Sequence, residues 1–350
     1  MQRKALWSVM LAAVAVTAQA EPPVEEGIDP EQMLAQVQAG NEVRLQQART
    51  IAASGAPRDL YAAALLVPLQ YDMARRQPKR DDQAKAWLAR AVETGSDDPL
   101  IAAAAVRDCI AGEVCAIDKA VATLQRVGAD ESGMQLLLMH LAEQRKDADA
   151  SAQAWQRAVA ATHHDDELAG LVGLLEQATR GMPAGTGAAE GQGTPANPTA
   201  DDNARIVLVF GVAAANWQPQ PKLVQTNCRP EAVQQNARMA ECRRLLQTLA
   251  NSPSLMMAQF GASWLANNAE AADQAKWRER RRELMWVVLK AVEASNADQQ
   301  AMAPKVGMAD YARWVAAEGE LPAMRRLLTA HGISQQPPAD WQPPTMQPDK

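Results

Sequence analysis

The sequence predicts an all-α protein. Apolar residues recur at intervals of three and four along most of the chain, which is the periodicity of a helix with one buried face. Ala, Leu, Gln, Glu and Arg, which favour helices, are abundant. The stretches between the periodic segments are short and carry the Gly, Pro, Asp and Ser residues typical of turns. Because short connections force neighbouring helices to pack antiparallel, we expect a string of helical hairpins.

The periodicity predicts helices along both halves of the chain. Those of the first half cover about residues 30–53, 59–76, 81–94, 99–109, 115–127, 133–145, 149–162 and 167–180. Those of the second half cover about residues 203–217, 236–250, 253–269, 271–294, 299–318 and 322–331. Ile206 to Val212 is a β-branched run, but it continues into alanines and finds no partner strand elsewhere. A lone strand cannot satisfy its backbone, so we interpret this run as a buried helix.

The first twenty residues, MQRKALWSVMLAAVAVTAQA, have the layout of a secretory signal peptide. Arg3 and Lys4 precede an apolar run that is shorter than the roughly 20 residues a membrane span needs. Small residues surround the predicted cleavage site after Ala20. We therefore expect a periplasmic or secreted protein whose mature chain begins at Glu21.

The charge balance argues against nucleic acid as a partner. The chain has 35 Lys and Arg residues against 41 Asp and Glu residues, which gives a net charge of −6 at pH 7. Removal of Arg3 and Lys4 with the signal peptide makes the net charge −8. Nucleic-acid binding relies on basic residues that neutralise phosphates, so this composition disfavours it.

The four cysteines predict disulfides in an exported chain, because an oxidising compartment favours bridges over free thiols. Neither spacing fits a zinc site or a C-x-x-C redox motif. Three pairings exist, and proximity favours Cys109 with Cys115, which flank the helix stop Gly112. The remaining pair is Cys228 with Cys242. A straight helix would hold their Cα atoms roughly 18 Å apart, and a disulfide needs less than about 7 Å. Either the segment from Pro230 to Gln235 folds back before a helix that begins near Asn236, or the pairing differs; we predict the fold-back and a Cys228–Cys242 disulfide.

A repeat is visible in the first half. The stretches QAKAWLARAVETGSDD and SAQAWQRAVAATHHDD share a pattern whose equivalent positions lie 67 residues apart, one short of two 34-residue units. Each places a large residue between two small ones at positions i, i+4 and i+7. These positions are Ala84, Leu88 and Ala91 in the first stretch and Ser151, Trp155 and Ala158 in the second. Over residues 81–180 the chain resembles a degenerate tetratricopeptide-like (Sel1-like) array, which implies stacked helical hairpins with a concave surface that binds peptides or proteins.

Composition divides the chain into five regions. They are a signal peptide at 1–20, a helical-hairpin domain at 21–180, a flexible linker at 181–202, a second helical domain at 203–333 and a proline-rich tail at 334–350. The linker has five glycines and three prolines and scarcely any large apolar residue. In the extended tail, Trp341 either docks onto the body or belongs to a disordered end.

His163 and His164, followed by Asp165, Asp166 and Glu167, raise the question of a metal site. Adjacent helical residues diverge by about 100°, so the two rings cannot converge on one ion without an irregular turn. Metal coordination also needs three or four ligands. We prefer a capped turn, with Glu167 in the first turn of the next helix. The sequence predicts no metal and no cofactor.

The segment KWRERRRE, residues 276–283, is the strongest positive patch. Its cations are Lys276, Arg278, Arg280 and Arg282. Winding at 100° per residue scatters these cations over most of a helix surface, as expected of a solvated amphipathic helix. Binding of an anionic partner or of membrane headgroups through this face is the alternative.

Function is predicted mainly from architecture. The chain lacks the G-x-S-x-G, H-E-x-x-H and phosphate-loop motifs. The repeat resemblance implies a protein- or peptide-interaction scaffold in the cell envelope. The alternatives are an envelope hydrolase with an active site that no motif marks, or a membrane-surface binder through residues 276–283. An enzyme should have an enclosed pocket where a histidine meets a carboxylate. Most tryptophans are expected in the core, and Trp217 is the best candidate for exposure.

Overall fold

A computed structural model of the chain describes residues 30–72, 77–111, 117–165, 167–182, 198–217, 221–229, 238–301 and 303–344. α-Helices build nearly all of these segments, so the predicted all-α class is confirmed. The described segments also contain one antiparallel pair of three-residue strands, an isolated parallel bridge between Glu131 and His163, and a non-helical tail after Ala330.

The helices follow one another in short steps. The first half contains α1 (Pro30–Ala52), α2 (Pro57–Leu66), α3 (Asp82–Gly95), α4 (Pro99–Ile110), α5 (Asp118–Val127), α6 (Ser132–Gln144), α7 (Ala148–Ala160) and α8 (Glu167–Ala178). The second half contains α9 (Pro198–Asn216), α10 (Pro221–Asn227), α11 (Met239–Ala250), α12 (Leu255–Asn268), α13 (Ala271–Gln300), α14 (Met308–Glu318) and α15 (Glu320–Ala330). Strands β1 (Gln70–Asp72) and β2 (Gln77–Lys79) lie between α2 and α3.

Aspartates and prolines fix where several helices begin. Asp81, Asp98 and Asp147 each accept a hydrogen bond from a backbone N–H in the first turn of the helix that follows. Such caps stabilise a helix by about 1 kcal/mol. Pro57 and Pro99 occupy the first turns of α2 and α4, where a missing N–H is not needed.

Several predicted helices have the wrong extent. The helix predicted over residues 59–76 ends at Leu66, because Pro68 cannot continue the backbone hydrogen bonding. Residues 70–72 and 77–79 pair as strands instead. The helix predicted over residues 271–294 continues as α13 to Gln300, and the helix predicted over residues 299–318 begins only at Met308, as α14. The short helix α10 was not predicted, whereas the interpretation of residues 206–212 as helix is confirmed by α9.

Two hydrophobic clusters hold the helices together, and each takes residues from both sides of the predicted linker. One cluster contains Trp155 of α7 and Leu246 of α11. The other contains Tyr61 of α2 and Ile206 of α9. Helix α8 packs against both α9 and α14. The two predicted helical regions are therefore in extensive apolar contact, and their division into separate domains stays a prediction.

The predicted linker is shorter than expected at one end. Residues 198–202 belong to α9, so the linker does not extend to residue 202. Pro198 opens this helix, which is a position where a proline fits a helical backbone. Residues 183–197 lie outside the described part of the chain.

The second predicted disulfide is confirmed. Cys228 and Cys242 are bonded, with their Cα atoms 5.7 Å apart, and they join the end of α10 to α11. Cys109 is also disulfide-bonded, but its predicted partner Cys115 lies outside the described residues. The predicted signal peptide, residues 1–20, likewise lies outside them. None of the described helices has the length and apolar character needed to cross a membrane.

The positions that carry the repeat resemblance are buried. Leu88 lies inside the hairpin of α2 and α3, and Trp155 is fully buried in the hairpin of α6 and α7. The Nε1 of Trp155 donates a 2.6 Å hydrogen bond to Glu241 of α11, which ties the second hairpin to the later helices. The superhelical arrangement of a tetratricopeptide-like array stays a prediction.

Candidate functional site

A cavity of about 220 Å³ lies between α4, α6, α8 and the beginning of α12. Its walls are mainly apolar, and the larger apolar residues are Pro99, Leu100, Met134, Leu136, Leu137, Trp217 and Met257. The polar residues are Arg107, Glu131, His164, Asp165, Glu167 and Ser254. The lining therefore combines residues from both halves of the chain. An apolar occupant would also lie next to the polar residues of the lining.

Glu131 is a buried carboxylate that joins two segments of the cavity wall. It accepts backbone N–H hydrogen bonds from Gly133 at 2.8 Å, from Met134 at 2.6 Å and from Asp165 at 3.0 Å. Burial raises the pKa of Glu131, and the three backbone donors oppose this increase. The carboxylate thus caps α6 and holds the turn before α8 against it.

His164 is buried beside Glu131. Its Nδ1 lies 3.0 Å from the hydroxyl of Ser132 and 3.5 Å from a carboxylate oxygen of Glu131. Burial, with a smaller contribution from His163, lowers the pKa of His164 to about 4, so the ring is neutral at pH 7. A Ser–His–acid catalytic group needs the serine and the acid on opposite ring nitrogens. Here both lie on Nδ1, and Ser132 is fully buried, so this arrangement does not provide an accessible nucleophile.

Arg107 and Glu167 form an ion pair on the polar side of the cavity. The Arg107 side chain is 8% exposed and that of Glu167 is 26% exposed, so the pair is shielded but not isolated from solvent. Asp165 adds a second carboxylate to the lining. Because His164 is neutral, Arg107 is outnumbered by carboxylates among the described lining residues. The cavity therefore disfavours an anionic occupant.

Ser254 has a buried hydroxyl that makes no hydrogen bond to any described residue. It occupies the N-cap position of α12 and is 2% exposed. An N-cap serine normally accepts a hydrogen bond from a first-turn N–H, but Ser254 makes no such bond, and its Oγ has no partner among the described residues. The neighbouring N–H of Leu255 donates to Glu320 instead, at 3.3 Å.

A second and more polar cavity, of about 330 Å³, lies next to the first. Its lining includes His163, Arg244, Gln247, Thr248, Asn251 and Ser252. His164 and Asp165 line both cavities, so the turn before α8 forms the wall between them. The side chain of His163 is 44% exposed and lies near Asp130 and Asp165, whereas His164 is buried beside Glu131. The two histidines thus have different surroundings.

The predicted anionic-partner face lies on α13. Its four cations are Lys276, Arg278, Arg280 and Arg282. The side chains of Arg280 and Arg282 are only 17% and 19% exposed. Arg280 donates to the carbonyl of Ala250 and to the carboxylate of Glu283. Lys276 and Arg278 are exposed, so the prediction of an anionic-partner face rests on these two.

The proline-rich tail docks on the same helix. Arg282 donates to the carbonyls of Pro338 at 2.9 Å and Trp341 at 2.8 Å. The Nε1 of Trp286 donates to the carbonyl of Ser334 at 2.8 Å. The rings of Trp286 and Trp341 meet edge to face with their centroids 5.3 Å apart. Trp341 therefore docks onto the body, which was one of its two predicted alternatives. Residues 345–350 of the tail lie outside the described part of the chain.

Sequence reasoning found part of this site. It singled out the turn at His163 and His164, and it selected Trp217 for exposure; Trp217 is half-buried and lines the apolar cavity. It missed Glu131 and Ser254. A serine before an apolar run signals a helix start, but nothing in the run reveals that its hydroxyl lacks a partner.

The chain matches no family model, no curated protein and no solved structure. Among the described residues, no cluster of three or more His, Cys, Asp or Glu side chains could hold a metal ion. The function must therefore be inferred from the geometry of the cavities and from the chemistry of the residues that line them.

Proposed function

We propose that this chain is an exported helical scaffold that binds a segment of a partner protein and anchors one apolar side chain of that segment in the apolar cavity. The observation that carries the proposal is the cavity itself, about 220 Å³ in volume and walled mainly by apolar side chains, with a buried hydroxyl in its lining residues that has no partner in the described part of the chain. An apolar side chain that leaves water for such a site contributes about 1.5–3 kcal/mol of binding free energy.

The architecture supports a partner of this kind. Residues 81–180 resemble a tetratricopeptide-like array, and stacked hairpins of that type present concave surfaces suited to peptides. The burial of Leu88 and Trp155 at equivalent repeat positions agrees with hairpin stacking. The layout of residues 1–20 and the Cys228–Cys242 disulfide support export to an oxidising compartment.

An envelope hydrolase is the second candidate function. It is favoured by the contact between His164 and Glu131 at the cavity wall, where burial shifts the pKa of both groups. The position of Ser132 and Glu131 on the same ring nitrogen argues against nucleophilic catalysis by this serine. We therefore favour binding over catalysis.

Site-specific photo-crosslinking in the native envelope tests the proposed function. A photoreactive amino acid replaces Leu100, which lines the cavity and is partly exposed. The control carries the same group at Val207, which is 59% exposed and does not line the cavity. We expect a discrete protein adduct from position 100 and none of that mass from position 207. No adduct at position 100, or identical adducts at both positions, would rule out the proposal.

A further inference from the structure

The unused hydroxyl of Ser254 indicates what the occupant of the apolar cavity should offer. A buried hydroxyl without a partner lowers the stability of the folded chain, because it has lost its hydrogen bonds to water. Ser254 lines the cavity and is 2% exposed, and its buried Oγ has no hydrogen-bond partner among the described residues. An occupant that brings a hydrogen-bond acceptor would remove this penalty at the moment of binding.

The charges around the cavity restrict the nature of that acceptor. Asp165 and Glu167 face one cation, Arg107, which is already paired with Glu167. His164 is neutral near pH 7. A carboxylate or phosphate brought into this lining would meet an excess of negative charge. An uncharged oxygen avoids this repulsion and still benefits from the partial positive charge at the N-terminus of α12.

The volume of the cavity restricts the size of the occupant. Pockets for whole drug-sized ligands measure about 300–1,000 Å³, whereas this cavity has about 220 Å³. One large apolar side chain and the backbone group next to it can be accommodated. A long acyl chain exceeds this space, and its carboxylate would be repelled.

We propose that the cavity binds a leucine-like side chain of a peptide together with its adjacent main-chain carbonyl, and that Ser254 donates a hydrogen bond to this carbonyl oxygen. This inference rests on the proposed function and adds the ligand class, which is an uncharged peptide segment. It assigns Ser254 as the hydrogen-bond donor to this carbonyl, and the carboxylates of Asp165 and Glu167 as the groups that disfavour a charged ligand.

A purely structural role for Ser254 makes the opposite prediction for stability. If its hydroxyl capped α12, Ser254→Ala would lower the melting temperature of the free chain. If the hydroxyl is held for a ligand, the substitution removes an unpaired buried polar group, and the melting temperature should stay unchanged or rise. Thermal unfolding of the unliganded full chain separates the two roles.

Calorimetric titration of the full-length exported chain tests the inference with two defined probes. N-acetyl-leucinamide carries the apolar side chain and an uncharged amide, and N-acetyl-leucine carries a carboxylate in its place. At pH 7 we expect the amide to bind and the carboxylate to bind at least about fivefold more weakly. Ser254→Ala should weaken binding of the amide about fivefold without lowering the melting temperature. Ser263→Ala, later in the same helix, is the control and should match the parent chain.

Three results would overturn the inference: equal affinity for the two probes, unchanged affinity of Ser254→Ala for the amide, or no binding of either probe. Such a failure is distinguishable from failure of the proposed function. If position 100 gives an adduct but the chain binds the two probes equally, the proposed ligand class is wrong and the proposed scaffold function stands. If the chain discriminates between the probes but position 100 gives no adduct, the cavity binds an uncharged peptide group. The proposed role as a scaffold for a protein partner in the envelope is then wrong.

Discussion

Buried polar side chains determine how firmly the wall of the apolar cavity is held. Glu131 accepts three backbone N–H groups from two segments, and His164 is packed beside it. Such groups are stable in one protonation state, because burial penalises the charged form. The cavity wall should therefore be sensitive to pH.

We expect acid to destabilise the chain through His164. In the folded chain its pKa is about 4, below the ordinary 6.5, so the unfolded chain takes up a proton at a higher pH than the folded chain. Stability is then lost as the pH falls from about 6.5 towards 4, by about 2 kcal/mol between pH 7 and pH 5. The raised pKa of Glu131 acts in the opposite direction as the pH falls, and it offsets part of this loss.

Urea unfolding at pH 7 and pH 5 measures this effect. His164→Asn removes the titrating ring, so the variant should lose less stability over this interval than the parent chain, while Glu131 is common to both. An equal pH dependence in the two proteins would show that His164 is not buried in its neutral form.

A matched pair of glycine substitutions tests the packing of α12 on α11. A Cβ added at Gly261 would lie 2.6 Å from the backbone of Leu246 and Ala250, whereas one added at Gly211 meets no atom within 4 Å. We expect Gly261→Ala to lower the unfolding free energy by about 1–3 kcal/mol. Gly211→Ala should raise it by up to about 1 kcal/mol, because alanine is the better helix former. Urea titration of both variants is the measurement, and a similar change in the two would contradict the close approach of the helices.

Helices were predictable where local signals agree with packing. The aspartate caps at Asp81 and Asp98 and the apolar periodicity after them specify α3 and α4 from the sequence alone. The strands β1 and β2 were not predictable, because each has three residues and depends on its partner rather than on a pattern. The candidate site was predictable only in part: the unpaired hydroxyl of Ser254 is visible only when α12 and its neighbours are placed in three dimensions.

The docked tail is held by Arg282 together with Trp286 and Trp341. Arg282 donates to two tail carbonyls, and Arg282→Gln removes these charge-assisted hydrogen bonds. We expect residues 334–341 to detach in this variant, with hydrogen exchange and proteolysis in the segment faster by about tenfold or more. Arg281→Gln, at an exposed neighbouring position, is the control. Equal exchange in the two variants would show that the tail is held by Trp286 and Trp341 without Arg282.

The chain should unfold in one cooperative transition. Both hydrophobic clusters take residues from both sides of the predicted linker, and α8 packs against α9 and α14. Loss of either half therefore exposes the apolar surface of the other. Scanning calorimetry should give a van't Hoff enthalpy equal to the calorimetric enthalpy. Two separable transitions would instead support independent domains on the two sides of the linker.

The most direct test of the proposed binding site is a substitution in the cavity lining whose larger side chain blocks the apolar cavity. Gly170 of α8 lines the cavity, and a Cβ added there makes ordinary contact with Leu100 at 3.5 Å, so Gly170→Leu should cover the opening without unfolding the chain. Gly211→Leu, on the open side of α9, is the matched control. We expect Gly170→Leu to lose affinity for N-acetyl-leucinamide by about tenfold or more at an unchanged melting temperature, and Gly211→Leu to bind as the parent chain does. Parent-like binding by a folded Gly170→Leu variant would contradict the assignment of this cavity as the binding site.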